Sequence, residues 1–472
     1  MKQLFRNSCL FAAIVLAAGC AAIRLSPAGS ATNAEVWLTK ADGSVRLERQ
    51  EDLPLSKGAA GDIYIDAGKR RQEIVGFGAA ITDASAILIQ TKLSPAARDG
   101  LIAELFGPSP GLNFSFTRFP IGASDFSPAH YSLDDRPDGS GGGSSRFSLD
   151  PAREYLIPTL RKALDANPHL TIMASPWSAP GWMKTSGALI KGTMRDDAFG
   201  DFAAYLRLTV DGFADEGVPV HYISIQNEPD FEPANYPGMR LSAGQRARLI
   251  GGHVGPALAT ARGRTKILEW DHNWDQPSQP MAVLTDSEAA RYTAGVAWHC
   301  YGGDVSVQSE VRALFPDKDV FFTECSSGGW SAPWPDSFLW IMRNIVIGAA
   351  NNWSRGALMW NLALDETSGP HLGGCGNCRG VVTIDGKTGA VTRNPEYYAL
   401  AHASRFVVKG ARWISSSCPA SLSCAAFRNP DGARVLIVLN ESEREARFRV
   451  RENGRGFDYA LAPAAASTFV WR

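Results

Sequence analysis

Eight short apolar runs rich in β-branched residues, each followed by a longer stretch of helical period, constrain this chain more than any other feature. The runs span 74–80, 113–120, 170–175, 222–226, 266–270, 295–299, 320–323 and 357–361. Helical periodicity predicts helices over 95–106, 151–166, 197–216, 244–262, 281–292, 305–314, 338–351 and 395–408. Strands buried on both faces and alternating with helices are the pattern of a parallel sheet, and eight such units close a (β/α)8 barrel. Ser94-Pro95 and Asp150-Pro151 each place a capping residue before a proline at the first helical position.

The rest of the chain reads differently. Residues 36–47 predict a hairpin around Asp42-Gly43, and 435–439 begin further strands after a turn at 429–432. Joining the two ends gives a side β-sandwich from 33–73 and 409–472, with the barrel between at 74–408. At 472 residues the chain has room for both domains. The Gly/Ser-rich stretch 138–145 falls in the loop after the second strand and reads as a plain surface loop.

The amino terminus has the composition of an export signal. Lys2 and Arg6 precede a short apolar run, and Ala17-Ala18-Gly19-Cys20 follows, like a bacterial lipobox. Residues 1–19 are then removed, Cys20 is the lipidation site, and 20–32 tether the enzyme. The expected location is the periplasm or the outer membrane of a bacterium, with free secretion as the rival; a membrane enters only through that lipid anchor. Export permits disulfides, and of eight cysteines six remain once Cys9 and Cys20 are set aside. Cys418 with Cys424 and Cys375 with Cys378 read as local pairs, whereas Cys300 and Cys325 read as small buried residues. No second C-x-x-C and no nearby histidine pair completes a zinc site at Cys375, and no H-E-x-x-H segment exists, so no metal is expected.

A formal net charge of −1 supplies no field for nucleic acid and suits a neutral substrate. Thirteen tryptophans are many for this length; most read as core filling, and some are candidate platforms for sugar rings. Active sites of such barrels lie at the carboxyl ends of the strands. The fourth strand ends in Gln226-Asn227-Glu228-Pro229 and the seventh in Thr323-Glu324-Cys325. Two carboxyls facing each other across a mouth are the equipment of glycoside hydrolysis, one to protonate the departing oxygen and one to attack or to activate water. Their separation decides between retention and inversion, and a sequence contains no distance.

These motifs, with Gly76-Phe77-Gly78, Thr82-Asp83-Ala84, Arg118-Phe119-Pro120, Ser124-Asp125-Phe126, Ser175-Pro176-Trp177-Ser178-Ala179-Pro180 and Trp360-Asn361-Leu362-Ala363-Leu364, resemble glycoside hydrolase family 30, most of all its glucosylceramidase-like members. The resemblance implies a barrel fused to a β-sandwich, a retaining double displacement on β-glucosides and no cofactor. It implies Glu228 as acid/base, Glu324 as nucleophile, and Asn227 as the partner of the sugar 2-hydroxyl. Asp125, Trp177 and Trp360 resemble the pocket for the nonreducing glucose, and Arg118 and Tyr301 resemble neighbours of the nucleophile. His299 joins the candidate substrate contacts, although a satisfied core histidine is the stronger reading of that residue. The cysteine-bearing segment 373–380 departs from the animal lysosomal enzymes. That makes a β-1,6-glucan the rival substrate, with xylan third, and a catalytically silent carbohydrate-binding lipoprotein is the competing class. Burial and the Glu324 anion are expected to keep Glu228 protonated, with Glu324 ionised beside Arg118 or Tyr301.

Overall fold

The computed structural model describes residues 33–58, 60–135, 146–331 and 333–472. The export signal, Cys20, the tether and the loop 138–145 lie outside the described residues. All eight predicted strands form: β1 (Gly76–Ala79), β2 (Phe116–Ile121), β3 (Thr171–Pro176), β4 (Tyr222–Ser224), β5 (Lys266–Asn273), β6 (Thr293–His299), β7 (Asp319–Glu324) and β8 (Ser354–Met359). Each is parallel to its neighbour in the order β1-β8-β7-β6-β5-β4-β3-β2. Backbone bonds from Ser115 N to Phe77 O and from Ile81 N to Arg118 O bring β1 against β2 and complete the ring. That approach needs glycine: a Cβ on Gly78 would stand 2.1 Å from the Phe116 carbonyl oxygen.

Strand periodicity explains how the interior is filled. Val75, Phe116, Met173, Tyr222, Leu268, Ala297, Phe321 and Leu358, one from each strand or its start, make a single apolar layer across the barrel. Two residues further along, where side chains point inward again, stand Arg118, Ser175, Ser224, His299, Thr323 and Trp360. The barrel thus carries an oily plug beneath a polar layer, and the polar layer underlies the opening.

The helices follow the predicted segments with breaks. Pro95–Phe106 forms with Ser94 accepting from Ala97 N, as expected of a cap. Asp150 does not cap. It is the first residue of a one-turn helix, Asp150–Arg153, its N–H goes to Ser148 Oγ, and a second helix, Leu156–Ala166, starts after the interruption. The segment 244–262 is three consecutive pieces, Ala243–Leu249, Ile250–Val254 and Gly255–Ala259. A helix at Asp83–Thr91, capped by Thr82, was not predicted, because its apolar residues merge with the first strand run. No helix of the described residues is long and apolar enough to cross a membrane.

The two ends of the chain meet as expected. Asn33–Lys40 pairs antiparallel with Ala465–Trp471, and Ile63–Glu73 pairs with Arg412–Ser416 and Ala446–Glu452. The hairpin at Asp42-Gly43 exists, but its returning arm is only Glu48–Arg49, since Leu47 takes a left-handed backbone and cannot extend the strand. A separate core containing Val36, Ile63, Ile414, Phe448, Phe457 and Phe469 fills this sandwich. Buried His402 joins it to the barrel by bonding Thr39 Oγ1 and Thr468 Oγ1, both at 2.8 Å.

Candidate active site

Asp271 is the hub of the polar layer, and strand geometry puts it there. In β5 the register to β6 shifts between Trp270 and His272, and both Trp270 and Asp271 have positive φ, so Asp271 is the extra residue of a bulge whose side chain turns into the barrel. Its Oδ2 accepts from Ser224 Oγ (2.6 Å), Arg118 Nη2 (2.7 Å) and Ser175 Oγ (2.9 Å), and its Oδ1 from Thr323 Oγ1 (2.7 Å) and His299 Nε2 (3.1 Å). Burial opposes its charge, but Arg118 and His299 outweigh burial and hold its carboxyl far below the ordinary range.

Arg118 spreads one guanidinium over three partners: Glu324 Oε2 at 2.5 Å, Asp271 Oδ2 at 2.7 Å and Asn227 Oδ1 at 2.7 Å. Its charge also sits 5.0 Å from the Trp177 ring centre. Trp177 and Trp360 stack at 4.9 Å beside it, and Trp360 Nε1 donates to Asp125 Oδ2 at 3.4 Å. The other Asp125 oxygen is buried with no partner, which leaves it open to bond a hydroxyl. Burial, with the Glu324 anion adding to it, pushes that carboxyl up to about 8.

Glu228 and Glu324 come together. One carboxylate oxygen of each, with a His299 nitrogen, lies within a set of atoms no more than 4.8 Å apart. Glu228 has a left-handed backbone, φ 49°, fixed by bonds from its N–H to Asp271 O and from Phe231 N to its own carbonyl. A strained, over-determined backbone of this kind is a common feature of reactive residues. His299 Nδ1 stands 3.1 Å from Glu228 Oε1 while its Nε2 meets Asp271, so both ring nitrogens face carboxylates and both donate. Although burial disfavours the cation, the Glu324 charge and those two bonds push His299 up to about 9. Tyr301 turns its hydroxyl inward to Glu324 Oε1 at 3.1 Å.

These contacts reverse the expected protonation order. Burial pushes Glu228 up, but the His299 bond and the charges of His272, His299 and Arg118 outweigh it, and its carboxyl rests below the ordinary value. Glu324 is pushed above its ordinary value by burial and by the Glu228 and Asp271 anions, against the pull of His299 and Arg118. The expectation of a protonated Glu228 counted burial and Glu324 and left out the imidazole. The same three groups could by proximity hold a cation. It would have to displace the His299 proton and face Arg118, which makes the fit poor.

The cavity above this cluster has a volume of about 450 Å3, in the range of small-ligand clefts. Asp125, Trp177, Asn227, Glu228, Tyr301, Glu324 and Trp360 all line it. Arg118 and His299 do not. Both are fully buried: Arg118 stands beside Glu324, as a neighbour of the nucleophile is expected to, and His299 is a core histidine whose two ring nitrogens meet Glu228 and Asp271. Cys300 and Cys325 are corrected: they form a disulfide that ties the end of β6 to the end of β7 beside His299 and Glu324. Cys375–Cys378 and Cys418–Cys424 are bonded as read from the sequence. Sequence reasoning missed Asp271, His272, Asn273, Phe231, Asn235, Tyr236 and Trp330. The polar ending Trp270-Asp271-His272-Asn273 of the fifth strand could have been found by the rule that found Glu228 and Glu324.

Replacing Arg118 with methionine leaves Asp271 and Glu324 buried without their cation, and is expected to destabilise the fold by about 3–5 kcal/mol. Thermal unfolding checks this. A melting temperature equal to that of the parent would mean that the guanidinium does not hold the layer together.

Residues 74–407 match the glycosyl hydrolase family 30 TIM-barrel domain and residues 410–469 the family 30 β-sandwich domain. The chain belongs to glycosyl hydrolase family 30. It is a glycosidase, and its relatives include enzymes named for two substrates. Endo-1,6-β-D-glucanase neg1 of Aspergillus fumigatus is 36% identical over 401 residues, 78% of this chain and 79% of that one. The mouse lysosomal acid glucosylceramidase is 28% identical over 439 residues, 86% of this chain and 82% of that one. Among solved structures, the endo-β-1,6-glucanase BT3312 superposes with a TM-score of 0.87 at 28% identity, covering 93% of this chain and 99% of that one. The glucosylceramidase-like reading therefore has less support than its β-1,6-glucanase alternative in the same family.

Proposed function

We propose that this family 30 glycosidase cleaves β-1,6-linked glucan by a retaining double displacement, with Glu324 as nucleophile and Glu228 as acid/base. The observation that carries the mechanism is the approach of the two carboxyls, with oxygens within 4.8 Å. Retention uses carboxyls about 5–5.5 Å apart, whereas inversion needs roughly 6.5–9.5 Å to admit a water. The substrate reading is supported by the greater identity to enzymes named as β-1,6-glucanases.

In the first step a Glu324 oxygen bonds to the anomeric carbon, the glycosidic C–O bond breaks, and the departing oxygen takes a proton from Glu228. In the second, Glu228 takes a proton from water as that water attacks the anomeric carbon and releases Glu324. Glu228 receives its first proton across the 3.1 Å bond from His299. A sugar seated between the carboxyls expels water from them, and desolvation favours the neutral imidazole and carboxylic acid over the ion pair. Trp177 and Trp360 offer apolar faces, Asp125 a hydrogen-bonding partner for ring hydroxyls, and the Asn227 amide N–H groups a donor for the 2-hydroxyl.

The pH dependence follows with its sign. Activity needs Glu324 ionised, and its carboxyl lies above the ordinary 4.5, so the acid limb of kcat/KM falls above 4.5. Activity also needs the proton shared by His299 and Glu228, which is lost as pH rises towards about 9. A measured acid limb below 4 would contradict the first assignment. Release of glucose oligomers from a β-1,6-glucan by the purified protein, with no turnover of a glucosylceramide or a xylan, tests the substrate.

Export through the lipobox at Cys20 belongs to the same proposal. Three disulfides in one chain support an oxidising compartment. Incorporation of labelled fatty acid that is lost in Cys20→Ala checks the anchor.

A further inference from the structure

We propose that Trp330 and Phe231, backed by the disulfide-closed segment 375–378, form the subsite for the departing sugar and select a leaving unit attached through its exocyclic 6-oxygen. The proposal rests on the β-1,6-glucanase reading above.

Both rings line the cavity, yet they are 56% and 45% exposed, unlike the buried Trp177 and Trp360. They follow the two catalytic carboxyls closely in the chain. Phe231 closes a turn on the Glu228 carbonyl, and Trp330 lies in the loop after Glu324. Nothing in the chemistry of the two carboxyls uses either ring. Exposed aromatic faces at the mouth of a polar-floored cleft are suited to the C–H faces of a second sugar.

Trp330 is held in position. Ser327–Gly328 pairs antiparallel with Cys378–Arg379, and Gly329 N donates to Asn377 O at 2.8 Å. A Cβ on Gly328 would stand 2.5 Å from the Trp330 ring and 2.2 Å from Asn377 O, so only glycine lets the ring lie against the cysteine segment. Gly374, just before the closed turn, reaches inward: a Cβ there would meet the Asp125 Cβ at 2.6 Å. The short run 374–379, braced by the Cys375–Cys378 bond, therefore reaches both Asp125 and the strand just before Trp330 and sets the distance between them.

The linkage explains why that distance matters. In a 1,6-bond the departing oxygen sits on a methylene outside the leaving ring. That ring is one bond farther from the anomeric carbon than in a linkage through a ring hydroxyl, and it turns about an additional single bond. A platform displaced from the carboxyls and rigidly spaced reaches such a ring and offsets the entropy of ordering it. Asn235, Asn273 and His272 interrupt the apolar surface of the mouth, a mixture that fits a sugar better than a lipid chain.

The test compares kcat/KM for a β-1,6-glucotriose with that for β-glucosyl fluoride, whose leaving group puts no sugar in the subsite. Trp330→Ala and Phe231→Ala are each expected to lower the ratio about tenfold, Trp330→Phe to restore most of it, and Cys375→Ser with Cys378→Ser to lower it in the same direction. A ratio within twofold of the parent in both alanine variants, or an equal loss on the two substrates, would overturn the subsite. Failure of the unaltered enzyme to cleave the triose while it hydrolyses the fluoride would instead overturn the substrate reading beneath it.

Discussion

Glu324→Ala is expected to lose activity by about 10⁴-fold or more, roughly 5 kcal/mol of transition-state stabilisation, because the carboxylate that attacks the anomeric carbon is gone. The fold should survive the change, since Arg118 keeps Asp271 and Asn227 as partners. The variant also makes a stereochemical statement. Azide added to it can enter the space vacated by the carboxylate and attack from the same face, giving an α-glucosyl azide from a β-glucoside. Recovery of activity with that product identifies Glu324 as the nucleophile. A variant that keeps a tenth of its activity without azide would remove it from that role.

Glu228→Ala is expected to split substrates by leaving group. General-acid assistance contributes about 10²–10⁴-fold, and that contribution is lost only where the departing oxygen needs a proton. A glucan, whose leaving group is an ordinary alcohol, should suffer the full loss in the first step. A dinitrophenyl β-glucoside should form the glycosyl-enzyme at close to the normal rate and then stall, because no base remains to activate water. Pre-steady-state kinetics would show a burst followed by slow turnover. Equal losses on both substrates, with the first step limiting, would refute the acid/base assignment. Removing Glu228 takes away one of the His299 carboxylate partners and leaves Asp271 on Nε2 and Glu324 3.8 Å from Nδ1.

The parts legible in the sequence were those set by local pattern. Eight apolar runs became eight strands because a strand buried on both faces needs a continuous apolar sequence, and the residues at their ends became the mouth because a parallel barrel aligns all its carboxyl ends. Glu228 and Glu324 stood out since a carboxylate at the end of an apolar strand has few other uses. What escaped depends on small departures from that regularity. Asp271 stands at a polar strand end that could be read, but its turn into the barrel comes from a one-residue bulge, which no alternation of apolar and polar residues announces. The Cys300–Cys325 bond joins two loops that become neighbours only when β6 and β7 pair. The reversed protonation order has the same origin. Burial can be guessed from sequence, but the single imidazole placed between Glu228 and Asp271 is a fact of three dimensions. Asp150 shows the limit at short range, where the Asp-Pro pair suggested a cap but Asp150 begins the helix and its own N–H bonds Ser148 Oγ two residues back.

Trapping with 2-deoxy-2-fluoro-β-glucosyl fluoride tests the central claim most directly, because the fluorine slows release of the glycosyl-enzyme more than its formation. Mass spectrometry of the intact protein should show one added fluorosugar, and peptide mapping should place it on Glu324. An adduct on any other residue, or rapid release of an inverted product with no adduct at all, would contradict the account.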